Sequence, residues 1–361
     1  MKRIILLLVS GSIFGVWLML CNLNSNVDAQ LISSTQYYNN RFHNALATEP
    51  NSFTKSLKIL WRFVTEKREN TVPEHALPIQ HVTAEQLIGL DNSALHIIKL
   101  GHSSLLLKVY GEYWLIDPVF SNRASPFQFI GPKRFQPTPI HLDDLPPIDR
   151  VLISHNHYDH LDKATIKALS KKATSFYVPL GVEGDLKRFG VASNNIHSFD
   201  WWQTANLESS TITFTPTQHF SGRGLNDSNT TLWGSWVIKA QDKALFFSGD
   251  SGYFSGFKTI GERFGPFDLT FIETGAYDKD WHDIHMTPEE SVQAHIDLQG
   301  KIMIPIHNGT FDLAFHSWTD PLERVTLAAD ANQITLTLPI IGEVLTLHNS
   351  TLPNATWWKI E

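Results

Sequence analysis

Three histidines and an aspartate fall within six residues, His155-Asn156-His157-Tyr158-Asp159-His160, and any fold of this 361-residue chain must accommodate them. They follow the apolar run Val151-Leu152-Ile153 almost directly. In an extended or tightly turning backbone His155 and His157 face the same way, because side chains alternate with a period of two. Asp159 and His160 then lie round the turn, where they can face a second centre. Imidazole nitrogen and carboxylate oxygen are the ligands that zinc, manganese and iron take where thiolate is absent. Packed together without a metal, such groups would each cost several kcal/mol to bury. The competing reading is a chance surface cluster.

Further ligands are expected at other strand ends, and three residues stand there. His219 follows a Thr211–Thr215 strand through Pro216-Thr217-Gln218. Asp250 follows Ala244–Ser248, with Gly249 and Gly252 beside it to allow close backbone approach. His307 ends the run Ile302–Ile306. Each alone reads equally well as an ordinary core or surface residue. Together they suit the early cluster.

Other short apolar runs read as strands: Ile97–Leu100, Leu105–Val109, Tyr113–Ile116, Val151–Ser154, Phe176–Pro179, Trp236–Lys239, Leu269–Glu273 and Lys301–Ile306. Lys163–Lys172 after Asp162 reads as a capped helix. Pro288–Leu298 does too, with Thr287 and Glu290 as a capping box and Pro288 in the first turn. Strands broken by helices predict sheets covered by helices, a mixed α/β architecture. No internal repeat is visible, and no glycine-rich phosphate loop opens a helix, which argues against a nucleotide cofactor.

Charge and cysteine usage exclude other classes. The chain carries 29 Lys+Arg against 36 Asp+Glu, a net charge of −7, with no basic block. Nucleic-acid binding, which depends on neutralising phosphates, is therefore not expected. The single cysteine, Cys21, forms no internal disulfide and removes any thiolate-rich zinc site. At the N-terminus, basic Met1-Lys2-Arg3 precedes an apolar run from Ile4 to Leu20 and a polar stretch ending at Ala29. This is the pattern of an export signal, with a retained membrane anchor as the alternative. Either predicts an extracytoplasmic protein, periplasmic or membrane-anchored; the cytoplasmic face of the membrane is the alternative. Leu57, Leu60, Trp61 and Val64 recur at helical spacing, flanked by Lys55, Lys58, Arg62, Lys67 and Arg68 and widened by Ile59 and Phe63. Such a helix either packs on the domain or lies on a lipid surface with its basic residues toward headgroups.

With these residues in view, the chain resembles the metallo-β-lactamase superfamily, and within it the N-acylphosphatidylethanolamine-hydrolysing phospholipase D family. The resemblance runs from about Asn40 to Leu347 and is carried by Arg41–Asn44, Gly101–Ser104, Asp117–Pro126, Gly131–Phe135, Ile153–Leu161, Trp233–Trp236, Arg263–Asp268 and Pro288–Glu290. It implies a four-layer αβ/βα sandwich, with residues 1–29 as the targeting segment, 30–90 as an N-terminal cap and 91–361 as the hydrolase domain. It also implies two zinc ions per chain, with other divalent transition metals as substitutes. His155, His157 and His219 would hold one ion and Asp159, His160 and His307 the other, with Asp250 bridging. Asp117 would hold a ligating imidazole by its free nitrogen. A pair of such ions brings the pKa of a shared water toward neutrality and clamps a phosphodiester.

The implied reaction releases an N-acylethanolamine from the phospholipid and leaves phosphatidic acid, through a metal-bridging hydroxide with Asp159 and Asp250 at the catalytic centre. His285 matches an active-site histidine of the family near the substrate phosphate and is expected to donate a proton to the leaving group, with an ordinary loop histidine as the alternative, since Ile284 stands where the family carries an amide side chain. Tyr158 and His102 are expected to contact substrate. Phospholipid and a membrane surface are the implied partners, and a homodimer is left open. Another ester, lactone or thioester hydrolase on the same scaffold is the alternative activity. A non-catalytic envelope metal-binding protein is the alternative from a different class.

Overall fold

The computed structural model describes residues 31, 33–48, 53–347, 353 and 355–359. The predicted signal or anchor over residues 1–29 lies outside them. No helix of the described residues is long and apolar enough to cross a membrane.

A short hairpin, β1 (Tyr37–Tyr38) and β2 (Arg41–Phe42), precedes helices α1 (Phe53–Thr65) and α2 (Ala84–Gly89). The first sheet is built from β3 (Leu95–Gly101), β4 (Ser104–Val109), β5 (Glu112–Ile116), β6 (Ile148–Leu152), β7 (Ala173–Pro179) and β8 (Ile196–Phe199). The second takes β9 (Thr204–Asn206), β10 (Ser210–Thr215), β11 (Ser235–Ala240), β12 (Lys243–Phe247), β13 (Phe267–Glu273), β14 (Gly300–Ile306) and β15 (Thr335–Leu336). The chain then returns to the first sheet as β16 (Val344–Thr346), beside β3.

Both sheets use the same order of pairings. In the first, β16–β3–β4–β5 are antiparallel and β5–β6–β7–β8 parallel. In the second, β9–β10–β11–β12 are antiparallel and β12–β13–β14–β15 parallel. Parallel neighbours need crossovers. The β5–β6 connection crosses without an α-helix; the others run through α3 (Lys163–Leu169) and α4 (Glu183–Phe189) on the first sheet, and α5 (Gly256–Phe264), α6 (Pro288–Asp297) and α7 (Asp320–Ala331) on the second. This shared order leaves no repeat in the sequence, because it resides in backbone pairing and not in side chains. The caps over α3 and α6 form as expected: the Asp162 side chain accepts from Ala164 N, and Thr287 and Glu290 close a capping box.

Alternation along the strands sorts the apolar residues into three cores. Leu105, Leu107, Trp114 and Ile116 meet Trp236, Ile238, Phe247 and Phe271 between the sheets. Leu106, Leu115, Val151 and Ile153 face Ile166, Leu169 and Leu186 of α3 and α4. Val237, Phe246 and Met303 face Phe257, Val292 and Val325 of α5, α6 and α7. Helix, sheet, sheet, helix is the four-layer α/β sandwich expected. Across the central core the indole N–H of Trp236 donates to the carbonyl of Ile153 at 3.0 Å, which fixes the second sheet against the strand leading into the histidine turn.

Helix α1 packs on the domain, but not through the stripe that the spacing picks out. Leu57, Leu60, Trp61 and Val64 are 55%, 60%, 66% and 75% exposed, so this stripe is not the face that packs. The helix is held by its other face: Phe63 lies against Trp281 and Phe315, and Arg62 reaches Asp278 and Asp280 at 2.6 and 2.5 Å. Ile59 and Phe63 therefore do not widen the outward stripe. They pack inward.

Lys99 of β3 is fully buried, donating to the carbonyl of Pro305 at 3.0 Å and to Asn308 Oδ1 at 3.1 Å. No carboxylate among the described residues pairs with it, and burial lowers its amine to about 7. The unfolded chain keeps the ordinary value near ~10.4. Between these two values the unfolded state binds the extra proton, so stability rises with pH from 7 upward and the contribution is flat below 7. Chemical denaturation of wild type and Lys99→Met from pH 6 to 10 should show the difference moving toward wild type above pH 7, by at most about 1.4 kcal/mol per pH unit. Parallel curves would refute the buried-amine account.

Candidate metal centre

The ends of strands from both sheets meet at one edge, where ligands settle in open α/β sheets. β5 leads into Asp117, β6 into the His155–His160 turn, β12 into Asp250 and β14 into His307, while β13 ends on Glu273. β10 adds His219, and the β3–β4 turn adds His102. Asp117, His102 and His307 all hold positive φ (42°, 53° and 63°), a conformation that costs a non-glycine residue energy and persists where surrounding bonds fix it. Gly249 (φ 58°) fits its expected role, since a Cβ there would lie 2.8 Å from the Gly234 carbonyl oxygen.

His155, His157, His219 and Asp250 form one group whose ligand atoms lie within 4.8 Å of one another, and His102, Asp159, His160 and His307 form another. Asp250 stands between them. Its Oδ2 is 3.7 Å from Nε2 of both His155 and His219 and 3.1 Å from Nε2 of His307, while its Oδ1 is 3.1 Å from Nε2 of His160. The residues singled out along the sequence as ligands are thus brought to one buried point.

The donor set fits bound cations. Ring nitrogens face one another: His157 Nδ1 is 2.9 Å from His155 Nε2 and 3.2 Å from His219 Nε2. Nε2 of His160, both ring nitrogens of His307 and Oδ1 of Asp250 are buried without a hydrogen bond. Buried polar atoms left so are costly, and cations among them satisfy all at once. The electrostatics agree. Burial pushes His157 and His219 down to about 3, the neutral form that a ligand requires. Burial alone would raise Asp159 and Asp250, but the surrounding imidazoles, His160 foremost, hold both well below the usual carboxylate range. Against the pull of burial, Asp250 in turn lifts His160 well above its ordinary value and His307 to about 10. The two carboxylates demand positive charge, which protons supply where metal does not.

An outer ring of bonds orients these side chains. Asp117 Oδ2 lies 2.7 Å from His160 Nδ1 and accepts from the Ser154 hydroxyl at 2.5 Å, and its Oδ1 accepts from Ser154 N at 2.7 Å. The Ser154 hydroxyl is in turn 2.9 Å from His155 Nδ1, so one carboxylate steadies two ligands. His219 Nδ1 donates to the Ile284 carbonyl at 3.0 Å, and its backbone is held on both sides by the Asn44 amide, at 2.8 and 3.0 Å. Asn44 belonged to a recognised segment but carried no role there. Only the fold reveals it.

Two expected substrate contacts lie elsewhere. His102 is 1% exposed and sits behind the cluster, its Nε2 3.0 Å from Asp159 Oδ2, outside the lining of the pocket over that cluster. Tyr158 turns into a separate cleft, where its hydroxyl donates to the Arg223 carbonyl at 2.7 Å and its ring lies under the Arg223 guanidinium. His285 does line the pocket over the metal cluster, with His157, Asp159, Asp250 and His307 at the floor and Ile59, Phe220, Trp281, Ile284 and Leu313 as apolar walls. The volume is about 270 Å³. A wider cleft of about 770 Å³ along β8 and β9 holds none of the clustered ligands. Sequence reasoning passed over Glu273, a fully buried carboxylate in contact with His285 Nδ1, because at the end of a strand it read as one more strand residue.

Residues 113–308 match the beta-lactamase superfamily domain. An uncharacterized protein of Mycobacterium tuberculosis is 40% identical over 312 residues, covering 84% of this chain and 81% of its own. The N-acyl-phosphatidylethanolamine-hydrolyzing phospholipase D 1 of Caenorhabditis elegans is 34% identical over 278 residues, covering 73% and 78%. Among solved structures, a metallo hydrolase of Ignicoccus hospitalis shares the fold at 23% identity and a TM-score of 0.54, covering 70% of this chain and 98% of its own. The chain therefore belongs to the metallo-β-lactamase superfamily, as a metal-dependent hydrolase related to the N-acylphosphatidylethanolamine-hydrolysing phospholipases D.

Because Asp117 steadies His160 directly and His155 through Ser154, Asp117→Asn should weaken metal retention by about 10- to 100-fold while leaving the fold intact. Metal content after dialysis against a graded chelator, with circular dichroism as the control, checks this. Unchanged retention would remove Asp117 from the site.

Proposed function

We propose that the protein is a zinc-dependent phosphodiesterase that hydrolyses N-acylphosphatidylethanolamine at the ethanolamine side. The observation that carries this reading is the junction of the His/Asp cluster with an apolar vestibule, one wall of which is Ile59 of α1, the helix whose outer stripe is bare and apolar. The nematode relative named for that activity supports it. His155, His157 and His219 would hold one zinc ion and Asp159, His160 and His307 a second, with Asp250 shared. Bound zinc supplies a water acidified toward neutrality and positive charge beside the phosphoryl oxygens.

The chain's own residues do the rest. Ile59, Phe220, Trp281, Ile284 and Leu313 give acyl chains an apolar approach and limit water around the reacting phosphate. Water adds at phosphorus, the bond to the ethanolamine oxygen breaks, and His285 in the pocket wall hands that oxygen a proton. N-Acylethanolamine leaves and phosphatidic acid remains. Incubation with N-acylphosphatidylethanolamine should yield both products, lose them on chelation, regain them with zinc, and lose them in Asp250→Ala. Turnover of a lactone or thioester without turnover of the phospholipid would overturn the substrate.

The lipid surface is met by insertion more than by charge. Lys58 and Arg62 are spent on Asp280 and Asp278, Arg68 on Asp312 and Lys67 on Glu69, so few cations are left to seek anionic headgroups. Replacing Leu57 and Trp61 together by serine should cut vesicle binding and hydrolysis of vesicular substrate at least ~10-fold, given roughly 1.5–3 kcal/mol per large apolar side chain buried. Turnover of a short-chain monomeric substrate should persist. Binding abolished by moderate salt, with no effect of the double change, would favour headgroup attraction.

A further inference from the structure

His285 has no amide neighbour on its own segment, yet its ring is fixed from behind. Its Nδ1 meets Oε1 of Glu273, at the end of β13. The other carboxylate oxygen, Oε2, accepts from the backbone N–H of Ser251 at 2.5 Å. Glu273 is itself held: its N–H donates to the Ser248 hydroxyl at 2.9 Å, and its carbonyl accepts from Ser291 Oγ at 2.5 Å. Its side chain is wholly buried, so it touches no substrate. Every one of these anchors lies outside the 281–285 segment that carries the histidine.

We propose that Glu273 is a positioning residue for the reaction, which sets the ring orientation and tautomer of His285 so that Nδ1 carries a proton toward Glu273 and Nε2, facing the pocket, takes up the proton it then delivers, the ring passing through its imidazolium form. The inference rests on the reading above only for what His285 then does; the arrangement of the pair can be tested without any substrate. The logic is one of fixed donors. A backbone N–H can only donate, so Oε2 must accept from Ser251. In Glu273→Gln the amide oxygen must take that place, which turns the amide NH2 toward His285 Nδ1. The ring nitrogen is then forced to accept, and the proton moves to Nε2. The substitution is nearly isosteric, yet it reverses the tautomer.

The test uses the zinc-loaded chain with 15N-labelled histidine, reading ring tautomers from long-range proton–nitrogen correlations, with His285→Ala to assign the signal. Wild type should show His285 protonated at Nδ1 and Glu273→Gln should show it protonated at Nε2, with zinc content unchanged. Glu273→Asp should retain the wild-type tautomer. On the phosphodiester substrate Glu273→Gln should lower kcat by about 10²–10³, with KM little changed, because a neutral ring protonated at Nε2 is a far weaker acid than the imidazolium that the Glu273 carboxylate supports. In a His285→Ala background it should cost nothing further, because a residue that acts through another has no effect once that other is gone. A wild-type His285 protonated at Nε2, or a tautomer that Glu273→Gln leaves alone, overturns the proposal. So does a loss that adds in full to that of His285→Ala, which would make Glu273 a brace for the Asp250–Ser251 turn. Failure to hydrolyse the lipid at all would overturn the substrate while leaving the tautomer result standing.

Discussion

Asp250 is the point on which the molecule turns. It is a buried carboxylate with imidazoles of four different ligands within 3.7 Å, three of them facing Oδ2 and one Oδ1. Its charge is too expensive to bury alone, so the elements that deliver those imidazoles must arrive together. His155 and His160 come from the first sheet's β6, His219 and His307 from the second sheet's β10 and β14. The aromatic core between the sheets, with Trp114, Trp236, Phe247 and Phe271, is what keeps those two sources in register. The bond from Trp236 to Ile153 is the most direct expression of this, since it ties a second-sheet strand to the first-sheet residue just ahead of the ligand turn.

How much of this could be read beforehand depended on whether a property is local. The histidine turn was legible because its members are contiguous, and His219, Asp250 and His307 because each ends an apolar strand. Asp117 was legible only through the family resemblance, since by position alone it is a turn residue before a proline. Glu273 was not, because nothing in Phe271-Ile272-Glu273-Thr274 says that a side chain ending a strand will face a histidine twelve residues on. His102 and Tyr158 sit beside residues that matter, and proximity in sequence suggested contact with substrate. Burial behind Asp159 in one case, and a rotation toward Arg223 in the other, direct them elsewhere.

Helix α1 shows the limit of periodicity in another form. Leu57, Leu60, Trp61 and Val64 define one face, and Ile59, Arg62 and Phe63 the opposite one. Spacing predicts the helix correctly but cannot choose the inner face when both are apolar. The choice was made by ion pairs: Arg62 finds Asp278 and Asp280, acids far along the chain, and the inner face follows its charge.

That choice links the surface to the site through one short loop. Residues 278–285 are gripped from outside by Arg62, Lys58 and Phe63 of α1. From inside, Gly252 packs so tightly on Asp283 that a Cβ there would run into its carbonyl oxygen. Between the two grips the loop presents the Ile284 carbonyl to His219 and the His285 ring to the pocket. A backbone carbonyl is the same whatever side chain it carries, so isoleucine at 284 costs His219 nothing. The His285 ring, for its part, is met from behind by Glu273. The ligand and the pocket histidine are thus joined, through one loop, to a helix whose outer face is turned to the surroundings.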